Sequence, residues 1–110
     1  MSVNGVELLE RYAEMLRLAQ QMLESARQSE WDRLVGLEHE RAAIADDLMK
    51  HEENSVWSQT ERERKADLIR SILKTDDEIK NLTQAWMGEL QELLGSIGAE
   101  KKLHKAYETR

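Results

Sequence analysis

No proline occurs anywhere in this 110-residue chain, so no position forces a helix to stop or a strand to the edge of a sheet. Apolar residues recur at helical spacing over long stretches instead. From Leu8 through Tyr12, Met15, Ala19 and Met22 to Ala26 the intervals alternate between four and three, which lays these side chains along one face of a helix. Leu9, Leu16 and Leu23 widen the stripe by one position. An arc that broad suits a helix with two neighbours better than the narrow seam of a two-stranded coiled coil. Phe is absent and Gly numbers only five, so the aromatic runs and frequent turns of a sheet protein are missing. The reading is all-α: a single domain over 1–110, an antiparallel helical bundle of three long helices plus a short C-terminal helix.

The helix limits follow from where the stripe changes phase. Continued past Ala26 it would bring Ser29 and Arg33 inward, whereas the next apolar set is Trp31, Leu34, Val35, Ala42, Ala45 and Met49. Helices over about 6–27 and 30–51 are therefore expected, joined by a tight turn in which Ser29 caps the second helix. Residues 51–60 lose periodicity and collect Asn, Ser and Thr, the composition of a linker, with Trp57 expected to anchor it on the bundle. A capping box, either Ser58 with Glu61 or Thr60 with Glu63, opens a third helix over about 60–94, in which Ile72, Ile79, Trp86 and Leu93 recur every seven residues. Gly95 and Gly98 are expected to end that helix and hinge a short one over about 99–108, whose large apolar residues are Leu103 and Tyr107.

Charge and composition narrow the function. A net charge of -6 opposes binding to a phosphate backbone, so direct nucleic-acid binding is not expected. No Cys is present, the N-terminus lacks a basic start followed by an apolar run, and no apolar stretch is long enough to span a bilayer. A cytoplasmic location without membrane insertion is the expectation. His39, His51 and His104 follow Gly36, Leu48 and Lys101 at three positions, so no Glu-x-x-His motif exists, and no phosphate cradle or nucleophile elbow is written in the chain. No metal, no cofactor and no enzymatic activity are expected. Glu7 with Arg11, Glu61 with Lys65 and Asp76 with Lys80 read as surface pairs within single helices, and Asp47 with His51 likewise.

What remains is surplus apolar surface. The second helix carries a further strip, Leu37, Ile44 and Leu48, turned by 100° or more from the strip that starts at Trp31. One strip should meet the first helix and leave the other for something else. Leu37, Ile44 and Leu48, with Ile69 and Leu73 on the flank of the third helix, admit two readings: packing of the second helix on the third, or a groove for a client or for self-association as a homodimer. Met15, Met22, Trp31 and Trp86 read as core residues first. The tail with Leu103 and Tyr107 has too little apolar surface to be held firmly, so it is expected to open at low cost.

The hairpin LLERYAEMLRLAQQMLESARQSEWDRLVGLE at 8–38 resembles the FliT-type flagellar export chaperones, chiefly at Tyr12 to Met15, Met22-Leu23 and Trp31-Asp32. LIRSILKTDDEIKNLTQAWMGELQELL at 68–94 is similar to that family's third helix, with Ile72, Leu73, Asp76 and Ile79 in its I-L-x-x-D-x-x-I pattern. The resemblance implies a cytosolic chaperone of flagellar type III secretion that binds the C-terminal region of the filament-cap protein FliD and prevents its premature assembly. It also implies contacts with the export ATPase and the export gate, and in some members with the flagellar master transcription regulator. In the family the C-terminal helix partly covers the partner surfaces, a lid role that would fall here to Leu103 and Tyr107. The alternatives are a structural coiled-coil adaptor subunit and a protein-binding anti-activator of a flagellar transcription regulator.

Overall fold

The computed structural model describes residues 5–52 and 56–108, with side chains placed for 5–52 and 56–95. Three helices follow in chain order: α1 over Gly5–Arg27, α2 over Trp31–Glu52 and α3 over Gln59–Glu108. No strand occurs among the described residues. The chain divides into two compact units, Met1–Lys80 and Asn81–Arg110, so α1, α2 and the first part of α3 form one unit and the remainder of α3 lies in the other.

In the first unit the broad stripe of α1 supplies much of the core. Leu8, Tyr12, Ala19, Met22 and Ala26 are buried as the spacing requires, and Leu18 and Leu23 join them. Leu8 and Tyr12 cluster with Leu48 of α2 and Leu68 of α3, while Leu9, Met15, Leu16, Ile44, Trp57 and Ile69 pack around that cluster. Ser25 is fully buried on the same face, where its hydroxyl donates to the carbonyl of Gln21 at 2.9 Å and so is satisfied without a partner from another helix.

The turn between α1 and α2 differs from the expected cap. Ser29 adopts a left-handed φ of 58°, the Ser29 amide donates to the Ala26 carbonyl at 3.2 Å, and the Glu30 amide donates to the Ser25 carbonyl at 2.8 Å. These are the two bonds of a Schellman motif, so Ser29 closes α1 from the position that usually holds Gly. Glu30 begins α2 in its place, its carbonyl accepting the Leu34 amide at 3.0 Å. A sequence rule that ranks Ser as an N-cap missed that the terminal carbonyls of α1 need closing first.

The start of α3 follows the first of the two capping boxes. Ser58 Oγ accepts the Glu61 amide at 3.1 Å, and a Glu61 carboxylate oxygen accepts the Ser58 amide at 2.9 Å. The same carboxylate lies against the α-carbon of buried Gly5, where a β-carbon would collide with it. Its negative charge therefore sits in the first turn of α1, where the helix dipole favours an anion.

α3 then runs unbroken to Glu108, through Thr75–Glu78 and through Gly95 and Gly98. The separate C-terminal helix expected at 99–108 is thus the last part of α3. No described glycine has a positive φ, so the left-handed stop expected of Gly95 is not made there.

Candidate docking surface

Charged pairs between helices fix the register of the first unit. Arg11 pairs with Asp47, Lys65 with Glu52, Arg41 with Asp76 at 2.6 Å, and Arg27 with Glu78 at 3.5 Å. Arg11, Lys65 and Asp76 were expected to serve pairs within their own helices; each is engaged with a neighbouring helix. His51 Nδ1 lies 2.8 Å from the carbonyl oxygen of Asp47 and 3.4 Å from its carboxylate, so that expected pair is present and Asp47 also holds Arg11. α2 runs antiparallel to the first part of α3, with Glu52 beside Lys65 and Arg41 beside Asp76. This register sets Leu73 level with Ile44 and Ala45.

Where the linker meets α3, Tyr12, Glu52, Trp57 and Lys65 form one polar cluster. The Tyr12 hydroxyl lies 3.0 Å from both carboxylate oxygens of Glu52 and donates to them. Lys65 Nζ contacts Glu52 and stands 5.0 Å from the Trp57 ring centroid and 5.7 Å from that of Tyr12, within range of cation–π attraction. Burial, then the hydrogen bond to Glu52 and its negative charge, push the Tyr12 phenol up to about 12. Trp57 thus anchors the linker as expected, and the cluster ties the end of α2 to the start of α3.

The two apolar strips of α2 have opposite fates. Leu37 and Leu48 are buried, and Ile44 is half-buried against the core, so the strip expected as a binding surface is the one that packs the bundle. Ile69 is half-buried against the same core. Of the five residues considered as a client surface only Leu73 is largely open, at 58% exposure. The other strip faces outward: Val35 is 52% exposed and Met49 73%, with Ala42 exposed between them and Trp31 half-buried at its start. Val35, Ala42 and Met49 are seven residues apart and share one side of α2. They form an exposed apolar strip along α2, and Leu73 adds exposed apolar surface on α3 at the level of Ile44 and Ala45.

A signal for this choice was present in the sequence. Leu37, Ile44 and Leu48 are large branched residues that fill space between helices, whereas the outer strip offers small Ala42 and Ala45, and Glu38 stands where its spacing asks for an apolar residue. Side chains are placed only as far as Gly95, so those of Leu103 and Tyr107, the expected lid, lie outside the described ones. A cleft of about 380 Å³ lined by Glu7, Glu10, Arg11 and Glu14 is open and largely acidic, and gives an apolar client little purchase. Among the described residues no group of three or more His, Cys, Asp or Glu is placed to hold a metal ion. No described helix is long and apolar enough to cross a membrane.

Comparison with known proteins adds what the geometry alone lacks. The sequence profile of the family described as "Flagellar protein FliT" matches residues 9–109. Flagellar protein FliT of Photorhabdus laumondii is 28% identical over 104 residues, covering 94% of this chain and 83% of that protein. Its counterpart from Yersinia pseudotuberculosis is 32% identical over 100 residues, covering 91% and 83%. Among solved structures, the flagellar protein FliT of Bordetella bronchiseptica superposes with a TM-score of 0.69 at 26% identity, covering 78% of this chain and 98% of that one.

Proposed function

The chain belongs to the FliT family of flagellar proteins, and from that premise we propose that it is an export chaperone of flagellar type III secretion, whose client is the C-terminal region of the filament-cap protein FliD. The exposed Val35, Ala42, Met49 and Leu73 carry the reading, because they offer apolar surface along two helices without any catalytic constellation beside them. An amphipathic client helix laid along that surface would have its aggregation-prone face covered in the cytosol and would still be free to leave. Val35, Met49 and Leu73 are each more than half exposed. Covering a whole side chain of this size is worth about 1.5–3 kcal/mol, so each should contribute about 1–2 kcal/mol before the cost of ordering the client. That range gives a complex tight enough to protect and loose enough to hand over. The export ATPase and the export gate are the receivers in this scheme, and the flagellar master transcription regulator is a further protein partner.

Calorimetric titration of the full chain with the C-terminal segment of FliD from the same bacterium tests the proposal. Binding is expected, with Met49→Asp and Leu73→Asp each weakening it about tenfold or more while the melting temperature stays within a few degrees. An adaptor whose apolar strips are permanently covered would bind no client segment, and a dedicated anti-activator would bind the transcription regulator in preference to FliD. Either result rejects the chaperone assignment.

A further inference from the structure

We infer that the exposed strip of α2 docks an amphipathic helix that carries Lys or Arg along both borders of its apolar face. The inference rests on the proposed function only for the place of the docking surface, and adds the chemistry of the occupant. From Val35 to Met49 the strip runs about 20 Å, so a partner helix of about four turns covers it. Ala42, exposed at its middle, lacks the bulk of Val35 and Met49 and leaves a step in which a large apolar side chain of the partner can seat.

The charges beside the strip name the occupant. Glu38 and Asp46 stand four residues before and after Ala42, which places them about 40° to either side of it, and Asp32 continues the Asp46 border toward the start of α2. All three are exposed, and none takes part in an ion pair among the described residues. Asp47 and Glu52, on the packed side of the same helix, are instead tied to Arg11 and Lys65. The acids that hold the bundle together are thus paired, and those that edge the strip are free. Lys50 ends the acidic border beside Met49, in the last turn of α2. A partner's lysines can lay their stems along the apolar face and reach these carboxylates with their ammonium groups. A second copy would bring the same acids to the same place and be repelled. The net charge of -6 also draws a cationic partner in before contact.

Two synthetic helices of equal length and identical apolar face, one bordered by lysine and one by glutamate, test the inference by calorimetric titration into the full-length chain. The lysine-bordered helix should bind about tenfold tighter or more, and the preference should shrink as salt is raised. Glu38→Lys/Asp46→Lys should invert the preference. Glu14→Lys/Glu40→Lys, the same change in net charge placed away from the strip, should keep it. Val35→Ser/Met49→Ser should remove binding of both helices, with circular dichroism checking that each variant keeps its fold. Equal affinities, a preference lost alike in both charge variants, or binding that survives Val35→Ser/Met49→Ser would each overturn the inference. So would a changed oligomeric state in Val35→Ser/Met49→Ser, which gives the strip to a second copy, or refusal of both helices until Lys101→Glu/Lys102→Glu is introduced, which gives it to the chain's own basic tail. The FliD segment titrated in parallel separates the two readings: if it binds while the two helices bind alike, the chaperone assignment stands and the cationic occupant falls. If only the lysine-bordered helix binds, the reverse holds.

Discussion

Leu48 and Met49 are neighbours in sequence and opposites in the structure, and replacing each by Ala separates packing from binding. Leu48 is 3% exposed and lies among Leu8, Tyr12 and Leu68, whereas Met49 is 73% exposed on the other side of α2. Leu48→Ala removes three buried carbons where three helices meet. Transfer accounts for roughly 2 kcal/mol, and the unfilled space raises the total to about 3 kcal/mol. In a domain of this size that lowers the melting temperature by roughly 10–20 °C. Met49→Ala takes nothing from the core and should leave stability within about 0.5 kcal/mol, while client affinity drops severalfold. Thermal and urea denaturation followed by circular dichroism measure the first effect, and titration with the FliD segment measures the second. If Met49→Ala destabilises the fold more than Leu48→Ala does, α2 is turned the other way and the docking surface described here does not exist.

Two further substitutions probe the local chemistry. Ser29→Gly relieves a non-glycine residue held at φ 58° and should stabilise the protein by about 0.5–1 kcal/mol, seen as a higher urea midpoint; a loss of stability would mean that the Ser29 side chain contributes more than its backbone strain costs. Tyr12 titrates later when folded than when unfolded, so the unfolded chain releases its proton first. Stability should be unaffected by this group below about pH 10 and fall as pH rises toward about 12. Of the two tyrosines, the late one in an ultraviolet titration should vanish in Tyr12→Phe, and its persistence would assign the shift elsewhere.

The parts of the fold that were legible in the sequence rest on repetition. Six apolar residues of α1 agree on one face, and no single exception among them moves it. Ser58 and Glu61 were readable because a capping box is local, needing only two residues three apart. What was not legible depends on distance through space. Nothing in the spacing of Arg11, Lys65 or Asp76 says that each finds its opposite charge on another helix, because an opposite charge four residues away looks equally suitable. The rotation of α2 was harder to read: both strips have helical periodicity, and the clue in Glu38, Ala42 and Ala45 is weak beside the shape of the space between α1 and α3, which Leu37, Ile44 and Leu48 fill. The family resemblance was legible throughout, since it uses the whole helical pattern rather than any single contact.

The continuity of α3 through Gly95 was the least expected feature, and it bears on how the second unit works. Glycine within a helix costs about 1 kcal/mol relative to alanine. Gly88 and Gly95 both lie inside α3, and a β-carbon at either would meet nothing within 4 Å. Alanine can therefore be introduced at both without a clash, and Gly88→Ala/Gly95→Ala should strengthen the helix by roughly 2 kcal/mol in total. Amide hydrogen exchange read over residues 81–95 should slow by about tenfold or more, while exchange in α1 and α2 stays as it was. If Gly95 were a hinge on which a C-terminal lid must swing, the double variant would lose a functional motion, and client binding or release would change with the exchange rate. If α3 acts as one continuous helix, the variant should keep its client affinity and differ only in the persistence of its second unit. A faster exchange over 81–95 in the double variant would contradict the open surroundings of both glycines and with them the unbroken course of the helix.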